Sequence, residues 1–293
     1  MRIPNTTLFV IASGIWGSTW LAITYQLGTV PPQVSVAYRF ALAALMLAAY
    51  CLATRRSLRF PRRAHPMLAL FGATLFGLNY IGVYLAERYV ASGLVAVVFS
   101  TIVFMSPVGM RIVYKEPLTL RTLFAAALGV TGVALLFLPE LRAARNGGAA
   151  AVGIGLAFGS TAIATIGNMV AVRNYKIGLP TFPATTWGMA YGALSAAMVA
   201  FILGVPWTFE WTAGYTLSLV YLALFGSVIA FGAYLTLLKN VGAAPSSFVG
   251  VATPVIALLL STLFEGYRWT WVSVIGIVLA VAGNWLALRA KPA

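Results

Sequence analysis

Ten long apolar segments, joined by short loops, dominate this chain of 293 residues. They cover residues 8–25, 34–53, 66–86, 92–110, 118–138, 150–171, 182–204, 213–238, 243–264 and 270–288. A helix needs about 20 residues to cross the hydrocarbon core of a bilayer. Only 8% of the residues are charged, whereas an ordinary soluble domain carries about a quarter. The sequence therefore predicts an all-α integral membrane protein with ten transmembrane helices.

The second half of the chain repeats features of the first. The stretch IWGSTWLAITYQLG at 15–28 is echoed by AFGSTAIATIGNMV at 157–170, and FSTIVFMSPVGM at 99–110 by FVGVATPVIALL at 248–259. Because each half holds five segments, an odd number, the second copy must cross the membrane in the opposite direction. Inverted repeats of this kind are typical of secondary transporters, whose substrate site lies between the halves. We expect a first repeat at 1–140, a linker at 141–149 and an inverted repeat at 150–293 around a central cavity.

The basic residues are distributed unevenly between the two sides of the predicted membrane. The chain has 19 Lys and Arg against 5 Asp and Glu. With a cytoplasmic N-terminus, 14 basic residues fall on the inner side and four in the outer loops, as the positive-inside rule requires. We therefore predict a multi-pass protein of the bacterial inner membrane with both termini in the cytoplasm. Its expected partners are the bilayer and a small solute, not nucleic acid, and we expect a monomer.

Reactive side chains are scarce. The chain has no Asp, its five Glu lie near segment ends or in loops, and its one histidine, His65, lies in a loop. Proton-driven transporters often carry an ionisable group inside the membrane, so this distribution argues against a carboxylate-centred antiport. No HExxH motif, aspartate pair or Ser–His pattern indicates an enzyme. A single cysteine, Cys51, leaves no internal disulfide and no cysteine-based metal site, and we expect no catalytic residue, cofactor or metal.

Aromatic and uncharged polar side chains remain as candidates for a substrate site. Asn79 and Asn168 should face the protein interior because an amide in lipid is unfavourable. Each aromatic residue taken alone also fits ordinary packing, but together they predict a cavity for an uncharged or zwitterionic ligand with an apolar side chain. The predicted substrate-binding residues are Trp16, Thr19, Asn79, Tyr80, Tyr84, Phe99, Ser100, Asn168, Trp187, Tyr191 and Phe248.

Arg39, Pro107 and Pro254 each allow two interpretations. Arg39 lies inside the second segment, where its guanidinium could contact a carboxylate or phosphate of the substrate or extend to the membrane interface. Pro107 and Pro254 are expected to kink the fourth and ninth helices, either as fixed bends or as paired hinges for alternating access.

These motifs together resemble the drug/metabolite transporter superfamily, and within it the ten-span, EamA-type exporter family. The resemblance rests on WGST at 16–19, Arg39-Phe40, Pro107 with Glu116, and the second-half counterparts Gly159-Ser160-Thr161, Pro254 and Glu265. Within that family the chain is most similar to bacterial exporters of aromatic amino acids. The resemblance implies a basket-like helical bundle with a central cavity, and export of aromatic and other neutral amino acids.

Alternating access by a facilitator is thus the expected function, since the first segment lacks the glutamate of small multidrug transporters. A drug/proton antiporter remains an alternative within the superfamily. A phosphate-ester or nucleotide-sugar exchanger would require several cations in the cavity, and only Arg39 qualifies. A membrane-embedded enzyme or a structural subunit is the alternative from a different class.

Overall fold

The computed structural model describes residues 3–115, 120–143, 148–241 and 249–288, which are helical and contain no strand. The helices are α1 (Asn5–Thr24), α2 (Pro32–Ala53), α3 (His65–Gly72), α4 (Asn79–Ala86), α5 (Ser92–Ser100), α6 (Ile102–Tyr114), α7 (Leu120–Ala143), α8 (Gly148–Lys176), α9 (Thr181–Ile202), α10 (Ala213–Tyr221), α11 (Ala230–Val241), α12 (Val249–Phe264) and α13 (Trp271–Leu288). A short 3₁₀ turn, Arg62–Ala64, precedes α3.

Among these described residues, seven helical stretches are long and apolar enough to cross a membrane. They are Asn5–Thr24, Pro32–Ala53, Arg62–Ala86, Ser92–Val113, Gly148–Asn174, Thr181–Ile202 and Ala213–Tyr234. Three shorter apolar helical stretches, Leu123–Leu136, Val249–Phe264 and Trp271–Leu286, fall where the other predicted segments lie. The all-helical architecture is confirmed, while the arrangement as ten spans in two inverted repeats stays a prediction.

The outside of the bundle is apolar. Large hydrophobic side chains such as Phe201, Leu263 and Leu45 are 81%, 74% and 69% exposed. A water-soluble monomer rarely displays continuous apolar surface of this kind. Lipid is the environment that such a surface fits.

Two of the long stretches change from α-helix to π-helix part-way along. Ala73–Leu78 joins α3 to α4, and Leu222–Ile229 joins α10 to α11. A π-turn alters the backbone hydrogen-bond pattern and the direction of the following side chains, and it is frequent at functional sites. The two π segments lie in the third and eighth predicted segments, which would be equivalent positions of the two halves.

Glycines allow the closest helix contacts in the bundle. Helices α7 and α13 pack backbone against backbone, so that a Cβ on Gly276 would lie 2.8 Å from the carbonyl oxygen of Gly132. Helix α1 approaches α12 at Gly17, where a Cβ would lie 2.5 Å from Cγ2 of Ile256. Small residues are the usual means of close helix contact in membranes. These contacts hold the helices around the central cavity.

Candidate functional site

A cavity of about 340 Å³ lies in the middle of the bundle. Helices from both halves of the chain contribute to it, namely α1, α4, α5, α6, α8, α11 and α12 together with the first π segment. The lining residues are Trp16, Thr19, Trp20, Leu75, Phe76, Asn79, Tyr80, Ala96, Phe99, Ser100, Ile102, Val103, Asn168, Phe231, Tyr234, Gly250, Thr253 and Pro254. None of these residues is charged, so the cavity presents an uncharged wall to its ligand.

Aromatic rings form much of that wall. The indole of Trp16 lies with its centroid 5.2 Å from the ring of Phe231 and 5.3 Å from that of Tyr234. The ring of Trp20 lies 5.4 Å from that of Phe99. These separations are the usual ones for edge-to-face and tilted ring pairs, which hold each other in place. A flat apolar ligand would therefore meet rings that are already oriented.

The π segments anchor two side chains of the cavity wall. The indole Nε1 of Trp16 donates a hydrogen bond of 3.1 Å to the carbonyl oxygen of Gly226, within the second π segment. The amide Nδ2 of Asn79 donates one of 2.5 Å to the carbonyl oxygen of Leu75, within the first. Each π segment thus supplies a backbone acceptor that fixes one polar side chain at the cavity.

Most of the residues predicted from the sequence are brought together at this cavity. The lining includes Trp16, Thr19, Asn79, Tyr80, Phe99, Ser100 and Asn168. Pro254 lies inside α12 and also lines the cavity, and Pro107 falls within α6. Phe248 lies outside the described residues.

Trp187 and Tyr191 are placed elsewhere, beside the arginine-rich loop that follows α2. The indole Nε1 of Trp187 donates a 2.8 Å hydrogen bond to the carbonyl oxygen of Leu58 in that loop. The hydroxyl of Tyr191 lies 2.8 Å from Nδ1 of His65, whose ring also packs edge-on against Trp187. These side chains fasten the loop to α9 rather than line the cavity.

Tyr84 and Arg39 are buried one layer beyond the cavity wall. Both are fully enclosed, with Tyr84 0% and Arg39 1% exposed. The guanidinium carbon of Arg39 lies 4.6 Å from the centroid of the Tyr80 ring and 5.1 Å from that of Phe40. Cation–π contacts of this kind offset part of the cost of burying a charge. Because Tyr80 lines the cavity, its ring separates Arg39 from the ligand space.

Four large aromatic residues of the wall, Trp20, Phe76, Phe231 and Tyr234, are absent from the set predicted from the sequence. Trp20 follows Trp16 by four residues, and that helical spacing is a signal that would have placed it on the same face. Phe76 lies inside the first π segment, and Phe231 lies two residues after the end of the second. A π-turn shifts the side-chain register, so a period of 3.6 residues gives no guide to the direction of these two.

Comparison with known proteins identifies the family. The profile of the EamA-like transporter family matches the chain twice, at residues 5–138 and 151–289. The chain belongs to the EamA-like transporter family. It is therefore a membrane transporter.

Relatives from three bacterial species match nearly the whole chain. The chain is 31% identical to the uncharacterized inner membrane transporter YedA of Escherichia coli, over 95% of this chain and 90% of that one. It is 24% identical to the protein PagO of Salmonella typhimurium, over 99% and 94%. It is 25% identical to the uncharacterized transporter YdfC of Bacillus subtilis, over 92% and 86%.

A solved crystal structure shares the fold. It superimposes with a TM-score of 0.66 over 97% of this chain and 96% of the other, at 20% sequence identity. This similarity concerns the arrangement of the helices alone.

Proposed function

We propose that this transporter exports aromatic and other neutral amino acids across the bacterial inner membrane by alternating access, as a facilitator. The observation that carries the proposal is the uncharged cavity of about 340 Å³ with aromatic walls. Ligand pockets commonly begin at about 300 Å³ and combine apolar walls with a few polar groups. A single small molecule with an apolar side chain suits this space.

The polar groups of the wall suit a ligand that carries a neutral or zwitterionic head. Asn79, Asn168 and Ser100 reach the cavity from three different helices. They offer amide and hydroxyl groups, which bind both acceptors and donors without requiring a net charge on the ligand. A phosphate ester or nucleotide sugar would require cations on the wall, and the lining residues include none.

The inverted repeat predicted from the sequence supplies the proposed mechanism. The helix contacts of the two halves correspond to each other. Helix α1 of the first half packs on α12 of the second, just as α8 of the second half packs on α5 and α6 of the first. Helices α2 and α9 also pack together across the halves, and so do α7 and α13. The same family profile matches each half separately. Rocking of one half against the other around a fixed site is the usual route to alternating access in such folds.

The proposed topology sets the direction of opening. The positive-inside distribution of Lys and Arg places the Arg55–Arg63 loop in the cytoplasm and Glu87 at the periplasmic end. Arg39 and Tyr84, which interact electrostatically with Glu87, are both fully buried. Because Arg39, Tyr84 and Glu87 are all buried, we infer that the conformation described is closed at the Glu87 end.

Flux of labelled tryptophan through proteoliposomes that contain the purified protein tests the proposal. Flux that runs only downhill, with no accumulation of tryptophan when a pH gradient is imposed, supports a neutral amino acid facilitator. Uphill accumulation that disappears with the gradient would replace it with a proton antiporter. Trp16→Ala and Tyr80→Ala should reduce the flux, whereas Trp211→Ala is a matched control because Trp211 is 86% exposed and distant from the lining residues.

Organic cations are the second candidate class of substrate. The π faces of aromatic rings attract cations. Four residues of the cavity wall supply such rings, namely Trp16, Trp20, Tyr80 and Tyr234. Competition of a viologen with labelled tryptophan would place both solutes at this site. Viologen flux without tryptophan flux would replace the amino acid assignment by the drug assignment.

A further inference from the structure

Glu87 is a buried carboxyl group with no hydrogen-bond partner among the described residues. It directly follows α4 and the apolar stretch Arg62–Ala86, so it belongs to the end of the bundle rather than to a span. The residue is 8% exposed, and neither Oε1 nor Oε2 has a hydrogen-bond partner in the described ranges 3–115, 120–143, 148–241 and 249–288. Burying an ionised carboxylate without partners is unfavourable enough that such groups take up a proton instead.

Polar side chains surround Glu87, and some of their atoms also lack hydrogen-bond partners among the described residues. Tyr80, Tyr84 and Glu87 follow one another at spacings of four and three residues, which is one face of a helix that leads from the cavity to the bundle end. Among the described residues, the Nε and Nη1 of Arg39 also have no hydrogen-bond partner. Arg39 interacts electrostatically with both Tyr84 and Glu87. Unpartnered polar atoms gathered in one place indicate a site that is completed in another conformation or by water.

Glu265, at the same end of the bundle, differs from Glu87 because both of its carboxylate oxygens accept hydrogen bonds. Its Oε1 accepts a 3.1 Å hydrogen bond from the backbone N–H of Ser92, and its Oε2 accepts bonds from the hydroxyls of Ser92 and Ser261. Ser92 is the first residue of α5, where a carboxylate is favoured by the helix dipole. Glu265 therefore ties α5 to the end of α12, whereas Glu87 has no such role.

Within the part of the chain that the structure describes, the charges that face Glu87 come from two other elements, Arg39 on α2 and Glu265 after α12. Burial raises the pKa of the Glu87 carboxyl well above its ordinary value, the Glu265 carboxylate raises it further, and Arg39 lowers it. The effect of burial is the largest of the three. Opening this end to water removes that effect and returns the carboxyl toward ordinary behaviour.

We propose that Glu87 is a proton-binding site that holds its proton while its end of the bundle is closed and releases it to water when that end opens. The O–H bond of the carboxylic acid breaks on opening, and water on the same side accepts the proton. Because the proton enters and leaves on one side, it does not drive accumulation of the solute. Glu87 thus makes a facilitator sensitive to pH without making it an antiporter.

The difference in proton affinity between the closed and open states determines whether low or high pH favours opening. The closed state binds the proton more tightly, so low pH stabilises the closed state and a rise in pH favours opening. Between the ordinary and the raised pKa of Glu87, the ratio of open to closed protein increases by up to about tenfold per pH unit. Above the raised pKa and below the ordinary one, the ratio no longer depends on this group.

Alkylation of a single cysteine measures opening without any substrate. In a Cys51→Ala background, Val90→Cys places a thiol in the turn after Glu87, at a position that is 9% exposed. The rate of modification by a membrane-impermeant maleimide is measured at about pH 6 and about pH 8, with Glu87 and with Glu87→Gln, and the ratio of the two proteins removes the titration of the thiol itself. We expect the modification rate of the protein with Glu87, divided by that of Glu87→Gln, to rise severalfold from about pH 6 to about pH 8. An unchanged quotient would overturn the proposal.

Flux at equal pH on both sides supplies the second test. With Glu87 present, flux should rise severalfold between about pH 6 and about pH 8, and Glu87→Gln, which resembles the protonated acid, should stay at the low value throughout. Glu210→Gln is the matched control, since Glu210 already accepts a hydrogen bond from Thr212 and should leave the pH profile unchanged. A profile that survives Glu87→Gln, or disappears in Glu210→Gln, would overturn the proposal. Because alkylation needs no solute, absence of tryptophan flux would contradict the substrate assignment alone.

Discussion

Replacement of Trp16 by phenylalanine isolates the hydrogen bond that orients the cavity wall. The substitution keeps an aromatic ring against Phe231 and Tyr234 but removes the donor to the carbonyl oxygen of Gly226, 3.1 Å away. A net hydrogen bond contributes about 0.5–1.5 kcal/mol. If the substrate requires the oriented ring, a loss of about 1 kcal/mol raises its half-saturation concentration roughly fivefold.

Trp16→Ala removes more and should have a larger effect. It also loses two ring contacts, each of which contributes about 0.5–1.5 kcal/mol. The summed loss of roughly 1.5–4.5 kcal/mol predicts an increase of more than about tenfold in the half-saturation concentration. Concentration-dependent tryptophan flux in proteoliposomes measures both values. Trp211→Phe, the same change at an exposed position, should have no effect, and equal half-saturation concentrations for Trp16→Ala and the unmodified protein would refute the assignment of the cavity.

Two further predictions concern the helix packing and the arginine-rich loop. Gly276→Ala places a methyl group 2.8 Å from the carbonyl oxygen of Gly132. We expect a loss of about 1–3 kcal/mol in stability, measured as a lower melting temperature in detergent. Gly155→Ala is the control, because its Cβ would meet open space, and it should not lower the melting temperature. Trp187→Phe removes the bond to the carbonyl oxygen of Leu58, so trypsin should cleave the loop between α2 and α3 several times faster at an unchanged melting temperature; an unchanged cleavage rate would show that this bond does not hold the loop.

The positions of the helices follow directly from the sequence, because apolar length is the property that a bilayer selects. Gly17 and Gly132 lie at close helix contacts, where small residues let two backbones approach. The π segments Ala73–Leu78 and Leu222–Ile229 were not visible, because nothing in their residue types distinguishes them from ordinary apolar helix. Their effect on side-chain direction is what hid Phe76 and Phe231.

The candidate site shows the same division between local and long-range information. Trp16, Asn79 and Tyr80 could be selected from the sequence because polar and aromatic groups in a span favour the interior. Trp187 satisfied the same criterion, yet its partner is Leu58, 129 residues away in the chain. Residue type indicates that a side chain needs a partner, and only the packing of the helices decides which partner it receives.

Glu87 carries this argument one step further. Its position next to a predicted segment end fits a solvated carboxylate at the membrane surface, and the sequence offers no reason for another reading. The bundle instead encloses it beside Arg39, within reach of the charge of Glu265. A carboxyl group at the end of a helix, rather than in its middle, can respond to pH on one side of the membrane only. A neutral cavity combined with such a group joins transport that needs no proton to a gate that binds one.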